Sequence, residues 1–450
     1  MTIQDYDVVV IGTGTAGYTV AYACREAGRT VAIVDRRAYG GTCAMRGCQP
    51  KKYFVAAAAA VERTRSMTGI GIQGPAAIDW PALVRSKSAF TDRVPEGTRR
   101  GFQEAGIDTY DGTARFEGPD TVATDAGDRL RGRALVVATG AEPAPLGIPG
   151  AGHVVTSDDF MELERLPANI IFVGGGYISM EFAHVAARAG ARVTVLHRGE
   201  RVLERFDGDL VARLVDASAA AGIRIHTGAP VASVERRGDR LVVRAGDDGA
   251  VAETADLVVH GAGRRPILDP LAPAAGGVDA TPRGITVNGH MQSVSNPRVY
   301  AVGDAADTPW RLATTADMQA EVAAAHILGD AGAVADHDAV ASVVFTLPPL
   351  AAVGLGEAEA RDSGRPVRVN TGDPTRWPSS KRIGQQHAGY KVILDRETDR
   401  ILGAHLLGHN ADEAINIFAL AIKGGLTTAD LKRVLWAYPT HVSDLKYTIR

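Results

Sequence analysis

The fold is decided by residues 8–17, VVVIGTGTAG, in which a buried-strand run enters a glycine-rich turn. A helical pattern follows, and the next apolar run, residues 31–34, ends at an acid. In such a unit the glycines let the backbone approach a pyrophosphate at the helix N-terminus, and the acid accepts hydrogen bonds from ribose hydroxyls. The stretch therefore predicts a dinucleotide-binding site. Its binding residues are Gly12, Gly14, Gly17 and Asp35.

Residues 170–179, IIFVGGGYIS, begin a second unit of the same kind, and its second strand covers residues 193–196. At the place of the acid in the first unit stands His197, followed by Arg198. An arginine there suits a 2′-phosphate, whereas an acid suits a free 2′-hydroxyl. The second unit therefore favours NADPH, with NADH as the alternative if Arg198 and the nearby Arg201 are only solvated side chains. The binding residues predicted here are Gly174, Gly176 and Arg198.

Two of the three cysteines lie close together in residues 39–52, YGGTCAMRGCQPKK. Residues five apart on a regular helix point to different faces, so a disulfide between Cys43 and Cys48 needs a bent or unwound turn. Strained, accessible disulfides are the easily reduced ones. The stretch therefore predicts a redox-active pair. The third cysteine, Cys24, lies on the apolar face of the first helix and is expected to be a buried small hydrophobic residue.

Length and composition limit the class of protein. A chain of 450 residues is expected to form two or three domains. A formal charge of −3 gives no electrostatic footprint for nucleic acid or an anionic membrane, and no apolar run reaches the ~18 residues of a membrane span. The N-terminus lacks the basic region of a signal peptide, and three cysteines suit a reducing compartment. We expect a cytoplasmic protein without nucleic-acid or membrane partners.

The remaining chain shows further periodic segments separated by turn residues. Helices are predicted over residues 53–65, 80–104, 315–327, 412–423 and 428–436, with Thr427 or Thr428 as the N-cap of the last. Antiparallel meanders are predicted over residues 109–130 and 231–259. Single strands are predicted at residues 134–140, 299–302, 342–345, 366–370, 389–395 and 401–407. Turn-rich residues 143–150 and 261–266 predict boundaries.

Two dinucleotide units and a Gly-Gly-Thr-Cys-x4-Cys stretch at residues 40–48 resemble the class I pyridine nucleotide-disulfide oxidoreductases. Glutathione reductase, dihydrolipoamide dehydrogenase and mercuric reductase belong to that family. The resemblance covers essentially the whole chain and implies an α/β fold with two Rossmann-like domains, for FAD and NAD(P)H, plus a C-terminal α+β dimerisation domain. The implied boundaries are residues 1–150 and 265–338 for the FAD-binding domain, 151–264 for the NAD(P)H-binding domain and 339–450 for the dimerisation domain.

The resemblance also implies roles for single residues. Cys48 is expected to form the charge-transfer thiolate and Cys43 to be the interchange thiol that attacks the substrate, each with a lowered pKa. Lys51 is expected near flavin N5, held by Glu181, and Tyr177 is expected to cover the nicotinamide pocket. The cofactor-binding residues implied are Gly12, Gly14, Gly17, Asp35, Thr42, Lys51, Thr139, Gly174, Gly176, Tyr177, Arg198, Arg264 and Asp304.

The chain departs from the family pattern near its C-terminus. Where glutathione reductase and dihydrolipoamide dehydrogenase have His-Pro-Thr, this chain has Tyr438-Pro439-Thr440. In the homodimer that the resemblance implies, this residue serves the interchange thiol of the other subunit. An unperturbed phenol, with a pKa near ~10, is a poor base at neutral pH. Mercuric reductase has a tyrosine in the corresponding segment, but no cysteine follows Cys48 here. His441 is either a relocated base or a packing residue.

The sequence therefore predicts an FAD-dependent NAD(P)H oxidoreductase that passes electrons from NADPH through FAD and the Cys43–Cys48 pair to a small-molecule acceptor. A small disulfide is the expected acceptor. A metal ion or a quinone is the alternative, because Tyr438 replaces the usual catalytic histidine. A flavin redox sensor with low turnover is a third interpretation. No resident metal site is predicted.

Overall fold

The structure, a computed structural model, describes residues 2–450. The chain forms two compact units. Unit 1 consists of the chain up to Lys52, Arg85–Ala144 and Arg264–His337, and unit 2 consists of Tyr53–Val84, Pro145–Gly263 and Asp338–Arg450. Within residues 2–450, every helix is too short or too polar to cross a lipid bilayer.

The strands are numbered in chain order. They are β1 (Ile3–Ile11), β2 (Val31–Asp35), β3 (Asp108–Asp111), β4 (Ala114–Phe116), β5 (Thr121–Thr124), β6 (Arg129–Val137), β7 (Ala141–Pro143), β8 (Val155–Thr156), β9 (Asn169–Val173), β10 (Arg192–Leu196), β11 (Ile223–His226), β12 (Val231–Arg237), β13 (Arg240–Ala245), β14 (Val251–Ala255), β15 (Leu257–His260), β16 (Arg264–Pro266), β17 (Ala280–Thr281), β18 (Gly284–Ile285), β19 (Val299–Ala301), β20 (Ser342–Val344), β21 (Leu350–Gly354), β22 (Val367–Gly372), β23 (Gly389–Asp395) and β24 (Ile401–Leu407).

The α-helices are numbered in the same way. They are α1 (Thr15–Glu26), α2 (Gly41–Met45), α3 (Cys48–Ser66), α4 (Trp80–Thr91), α5 (Val94–Glu104), α6 (Ser157–Phe160), α7 (Tyr177–Arg188), α8 (Gly208–Ala220), α9 (Ala313–Ile327), α10 (Glu357–Asp362), α11 (Pro378–Lys381), α12 (Ala411–Lys423), α13 (Thr428–Arg433) and α14 (Leu445–Thr448).

Unit 1 is built on a sheet of order β3-β2-β1-β6-β5-β4, with β19 beside β6. β1 pairs in parallel with β2 and β6, and β3 and β19 extend the parallel part. The central strand is fully apolar where it is most buried, since Val8, Val9 and Val10 are each 0% exposed. Cys24 of α1 is also fully buried, and burial raises the pKa of its thiol to about 11. The prediction that Cys24 is a core residue is confirmed.

Unit 2 contains a second parallel sheet, of order β11-β10-β9-β15-β8. The predicted meander after residue 231 is present as β12, β13 and β14. The C-terminal part forms an antiparallel sheet of order β20-β21-β24-β23-β22, and α12 packs on it through residues such as Ile415 and Phe418. Parallel sheets with helices and a separate antiparallel α+β part confirm the predicted fold class.

Some predicted elements were wrong in detail. The single helix over 80–104 is two helices, α4 and α5. Pro95 has no N–H for the carbonyl four residues earlier, so it is tolerated only in a first turn, and α4 ends at Thr91. The segment 109–130 is only partly antiparallel, since β3 pairs in parallel with β2. α3 begins at Cys48, five residues earlier than expected; Pro50 is tolerated because it lies in the first turn. β21 was not predicted, and α13 ends at Arg433 rather than 436. Thr427 is its N-cap, as predicted.

Candidate active site

The first glycine-rich turn of unit 1 is held closed by a side chain that sequence reasoning missed, Thr13. Its backbone N–H and its hydroxyl both donate to Asp35 Oδ2, at 2.8 and 2.6 Å, and its Oγ1 accepts from Gly40 N–H at 3.1 Å. Gly41 lies against Gly14 so closely that a Cβ on Gly41 would be 2.2 Å from Gly14 Cα. The turn and the segment that leads to the cysteines therefore form one packed structure.

The two predicted redox residues lie at a break between two helices. α2 carries Cys43 and ends at Met45, and α3 begins at Cys48. The unwound turn that the spacing requires is thus present. Both cysteines are in the reduced thiol form; Cys43 is half-buried and Cys48 is exposed. The Cys43 side chain is hydrogen-bonded to Cys48 and to Thr15. This juxtaposition lets the pair interconvert between dithiol and disulfide.

The environment of Cys43 differs from the sequence-based expectation. The hydrogen bond to Cys48 and then burial raise the pKa of the Cys43 thiol above its ordinary value, and Thr15 opposes this only in part. The expectation that both thiols have lowered pKa values is therefore wrong for Cys43 in the dithiol form. The physical reason is charge repulsion. Two adjacent sulfurs share one negative charge more favourably than they carry one negative charge each. The Cys43 thiol therefore keeps its proton more firmly than an ordinary cysteine does.

A second part of unit 1 brings polar groups next to the same turn region. Gly303 to Ala305 form a short 3₁₀ turn that carries Asp304. Burial raises the pKa of the Asp304 carboxyl, and the guanidinium groups of Arg264 and Arg311 oppose this. Gln319, fully buried on α9, accepts from Gly303 N–H at 2.9 Å and so fixes this turn. The sequence offered one weak signal for Gln319, a lone amide in an alanine-rich helix.

The residues of unit 1 fit the dinucleotide cofactor that was predicted for them. A Cβ on Gly12, whose φ is +113°, would lie 2.3 Å from Ala138 O, so this position needs glycine. Within the described chain, the buried hydroxyl of Thr139 has no hydrogen-bond partner. A buried hydroxyl without a partner, next to a glycine-rich turn, is suited to a ligand hydrogen bond. Thr42 is exposed on the same segment as Cys43.

The glycine-rich turn of unit 2 is closed by His197 in place of the acid. His197 Nδ1 accepts from Gly175 N–H at 3.0 Å, and His197 Nε2 is 3.0 Å from Arg201 O. The hydrogen-bond pattern therefore places a ring proton on Nε2. Arg201 is occupied by a hydrogen bond to Glu204 O, whereas Arg198 is exposed. Of the two arginines, Arg198 is the one that is available to a phosphate.

The glycines of this second turn are placed as predicted at the start of α7. A Cβ on Gly174, whose φ is +102°, would lie 2.5 Å from Gly261 O, and Gly176 is the N-cap of the helix. Tyr177, the first helical residue, is 47% exposed. The predicted role of Tyr177 in covering a bound ring stays a prediction. Glu181, one turn further along α7, is fully buried and accepts from Phe345 N–H at 2.8 Å through Oε1.

The remaining candidates occupy separate places in the two units. Lys51 is half-buried in unit 1 and Glu181 belongs to unit 2, so their pairing stays a prediction. Tyr438 is 78% exposed and lies at a cavity of about 760 Å³ whose wall includes Trp377 and Tyr390. His441 packs edge-on against His409, with ring centroids 4.8 Å apart, and burial lowers its pKa. That contact favours a packing role for His441.

Comparison with known proteins agrees with this arrangement. Residues 6–320 match the pyridine nucleotide-disulphide oxidoreductase family, and residues 340–448 match the dimerisation domain of that family. Glutathione reductase from Burkholderia cepacia is 33% identical over 448 residues, which cover 98% of this chain and 97% of that protein. Dihydrolipoyl dehydrogenase from Chlamydia muridarum is 32% identical over 451 residues, which cover 97% of this chain and 94% of that protein.

A solved structure supports the same assignment over the full length. The Cu(II) complex of the HOCl-induced flavoprotein disulfide reductase RclA from Escherichia coli has a TM-score of 0.90 at 25% identity, covering 99% of both chains. The class of protein is thus a flavoprotein oxidoreductase that uses FAD and NAD(P)H. The chain belongs to the class I pyridine nucleotide-disulfide oxidoreductase family, and the resemblance drawn from the cysteine and glycine motifs is confirmed.

Proposed function

We propose that this enzyme uses NADPH to reduce a small disulfide, with Cys43 and Cys48 as the redox pair. The observation that carries the proposal is the contact between these two thiols at the break between α2 and α3. Bound FAD supplies the two-electron link between the nicotinamide and the dithiol. The net reaction consumes NADPH, a proton and one disulfide, and yields NADP⁺ and two thiols.

The two thiols have different proposed tasks. Cys48 is the first residue of α3, and a helix N-terminus stabilises a thiolate. Cys43 attacks one sulfur of the substrate and forms a mixed disulfide. The S–S bond of the substrate breaks, and the proton lost by Cys43 ends on the leaving sulfur, so that the first thiol is released. The Cys48 thiolate then attacks Cys43, which releases the second thiol and restores the Cys43–Cys48 disulfide. Tyr438 of the partner subunit is proposed to donate a proton to the leaving thiolate.

The other sequence candidates keep their proposed roles. Lys51 is the cation proposed near the flavin, and Glu181 is the carboxylate proposed to stabilise a cation there. The residues proposed to bind FAD are Gly12, Gly14, Gly17, Asp35, Thr42, Lys51, Thr139, Arg264 and Asp304. The residues proposed to bind NADPH are Gly174, Gly176, Tyr177 and Arg198. The fully buried environment of Glu181 supports a role in which its orientation matters.

A homodimer with shared active sites is proposed on two grounds. Residues 340–448 match a dimerisation domain. In the same region Leu435 is 98% exposed, and Leu420 and Tyr438 are 70% and 78% exposed. Large apolar side chains left this exposed within a dimerisation domain support their burial in a subunit interface. The domain boundaries predicted from the sequence, at residues 150, 264 and 338, stay a prediction.

Arg198→Ala is expected to reduce the preference for NADPH. Removing the exposed guanidinium takes away the charge proposed to meet the 2′-phosphate, and one charge-assisted contact contributes about 1.5–3 kcal/mol. We expect kcat/KM for NADPH to fall on the order of 10-fold or more, while the value for NADH changes little. Steady-state kinetics with both nucleotides measure this. Arg201→Ala is the matched control, because its guanidinium is bonded to Glu204 O; equal ratios in Arg198→Ala and wild type would contradict the assignment.

A second candidate acceptor is a soft metal ion or a quinone. The observation that favours it is the aromatic surroundings of Tyr438, where Trp377, Tyr390 and Tyr447 line the same cavity and no basic histidine stands at position 438. The related RclA was solved as a Cu(II) complex, which is a property of that protein. A panel of disulfides, quinones and Cu(II) or Hg(II) salts, run with the purified FAD enzyme, separates the candidates.

Tyr438→His is expected to change which acceptors of that panel the enzyme reduces, and how fast. A histidine has a pKa near neutrality and can exchange the proton that the interchange thiol needs, which typically contributes on the order of 10²-fold. We therefore expect faster reduction of glutathione disulfide or lipoamide in Tyr438→His, and slower reduction of the native disulfide acceptor in Tyr438→Phe. If neither variant alters disulfide reduction, Tyr438 has no part in proton transfer and the metal or quinone acceptor is favoured.

A further inference from the structure

Helix α7 carries a row of buried polar side chains that the proposed reaction uses only in part. Glu181, His184 and Arg188 occupy positions i, i+3 and i+7, and therefore lie on one face of the helix. Their exposed fractions are 0%, 0% and 3%. Of the three, only Glu181 is a predicted site residue. A histidine and an arginine buried this deeply need a structural or functional reason.

All three side chains contact one short backbone segment, Phe345 to Leu347. Glu181 Oε1 accepts from Phe345 N–H at 2.8 Å. His184 Nδ1 accepts from Leu347 N–H at 3.2 Å, and Arg188 Nη2 donates to Leu347 O at 3.1 Å. We call this arrangement, Glu181, His184 and Arg188 on residues 345–347, the α7 clamp. Three successive contacts fix the position of the segment along the helix.

The tautomer of His184 follows from its neighbours. Ser218 Oγ donates to Leu214 O at 2.7 Å, so it accepts from His184 Nε2, which is 2.9 Å away. The proton is therefore on Nε2, and Nδ1 is the acceptor for Leu347 N–H. Burial and the charge of Arg188 hold the pKa of His184 well below its ordinary value, so the ring stays neutral. A neutral ring with a fixed tautomer is a rigid link between α7, α8 and residues 345–347.

The charge of Arg188 is compensated within the same cluster. Arg188 Nε donates to Glu62 Oε2 at 2.9 Å, and Glu62 is 39% exposed at its side chain. An ion pair with one buried partner contributes little net stability compared with apolar packing, because desolvation of the arginine offsets the attraction. The polar cluster is thus better explained by the geometry that it imposes than by the free energy of folding that it adds.

We propose that His184 is a positioning residue for Glu181, acting with Arg188 through residues 345–347. The Phe345 N–H that orients the Glu181 carboxylate lies two residues from Leu347, whose N–H and C=O are held by His184 and Arg188. Loss of the imidazole frees Leu347 and lets Phe345 move, so the carboxylate loses its single orientation. The proposal rests on the role proposed above for Glu181, a carboxylate that stabilises an active-site cation.

The test compares His184→Leu, His184→Gln, Glu181→Gln and the His184→Leu/Glu181→Gln double variant as FAD-loaded enzymes. The measurements are the midpoint potential of the bound FAD, Tm, and amide hydrogen exchange of residues 345–347. We expect His184→Leu to shift the potential in the same direction as Glu181→Gln and by at least half as much. The double variant should shift it no further than Glu181→Gln alone, because the histidine acts through the carboxylate. His184→Gln, which keeps an acceptor and a donor, should restore most of the wild-type value.

Lys391→Met, expected to lower Tm at a different place in unit 2, is the control for a merely structural effect and should leave the potential unchanged. Ser218→Ala removes only the hydrogen-bond partner of His184 Nε2, and it replaces His184→Leu if that variant does not fold. We expect Ser218→Ala to shift the potential by part of the amount seen in Glu181→Gln. Additive shifts of the potential in the double variant would overturn the proposal. A lowered Tm in His184→Leu without a shift in potential would do the same. A silent Glu181→Gln would instead contradict the role proposed for Glu181, and the functional part of the clamp with it.

Discussion

Replacement of Cys43 by serine is expected to lower disulfide reduction by at least about 10³-fold. The hydroxyl is a far weaker nucleophile than a thiolate, and no disulfide with Cys48 can form, so the enzyme cannot complete the exchange. Reduction of an acceptor directly at the flavin, such as a quinone, is expected to survive. NADPH oxidation measured with a disulfide and with a quinone on the same preparation gives both results.

Cys48→Ser is the matched variant, since it removes the other sulfur and leaves Cys43 in place. Anaerobic reduction of the wild-type enzyme should produce a long-wavelength charge-transfer absorption, and Cys48→Ser should abolish it, whereas Cys43→Ser should retain it. Disulfide reduction near the wild-type rate in Cys43→Ser would contradict the exchange reaction proposed here. A normal absorption band in Cys48→Ser would reverse the assignment of the two thiols.

Lys391→Met is expected to produce the largest loss of stability. The Lys391 side chain is 6% exposed, and its ammonium lies 2.8 Å from Asp207, 2.7 Å from Asp209 and 3.1 Å from Glu357. Asp207 is itself only 7% exposed, and removal of one partner of a buried ion pair costs about 3–5 kcal/mol. Urea unfolding of the FAD-loaded enzyme should therefore shift to a markedly lower midpoint. Lys432→Met, on an exposed position of α13, is the control and should change stability by less than about 0.5 kcal/mol.

The difference between Lys391→Met and wild type should depend on pH. The hydrogen bond from Lys391 lowers the pKa of Asp209 from 3.8, and Arg361 and then Lys391 lower the pKa of Glu357 from 4.5. A carboxyl whose pKa is lowered by folding stabilises the protein above its unfolded pKa, and that contribution is lost as the pH falls through the folded value. The stability difference should thus be full at neutral pH and shrink below about pH 4. A difference that stays constant down to pH 3 would exclude the ion pairs as its source.

The parts of the site that the sequence predicted are those whose chemistry is local. The turn around Gly12 and the break between Cys43 and Cys48 follow from backbone requirements over a few residues, and both are present. By contrast, the roles of Gln319 and His184 were not predicted, because their hydrogen-bond partners, Gly303 and Leu347, are 16 and 163 residues away in the chain. A lone polar residue in a helix does not tell which distant backbone group it will meet.

The sequence by itself determined the class of this protein: two glycine-rich strand–turn–helix units and a Cys-x4-Cys pair whose spacing demands an unwound turn. Only the tertiary structure decided how those groups are tuned. It placed Cys43 beside Cys48, which raises the pKa of Cys43 instead of lowering it, and it gave His197 the hydrogen bond that Asp35 makes in the first unit. The physical reason is that backbone conformation is set by neighbours in the chain, whereas burial, charge and hydrogen-bond partners are set by segments that meet only when the chain folds.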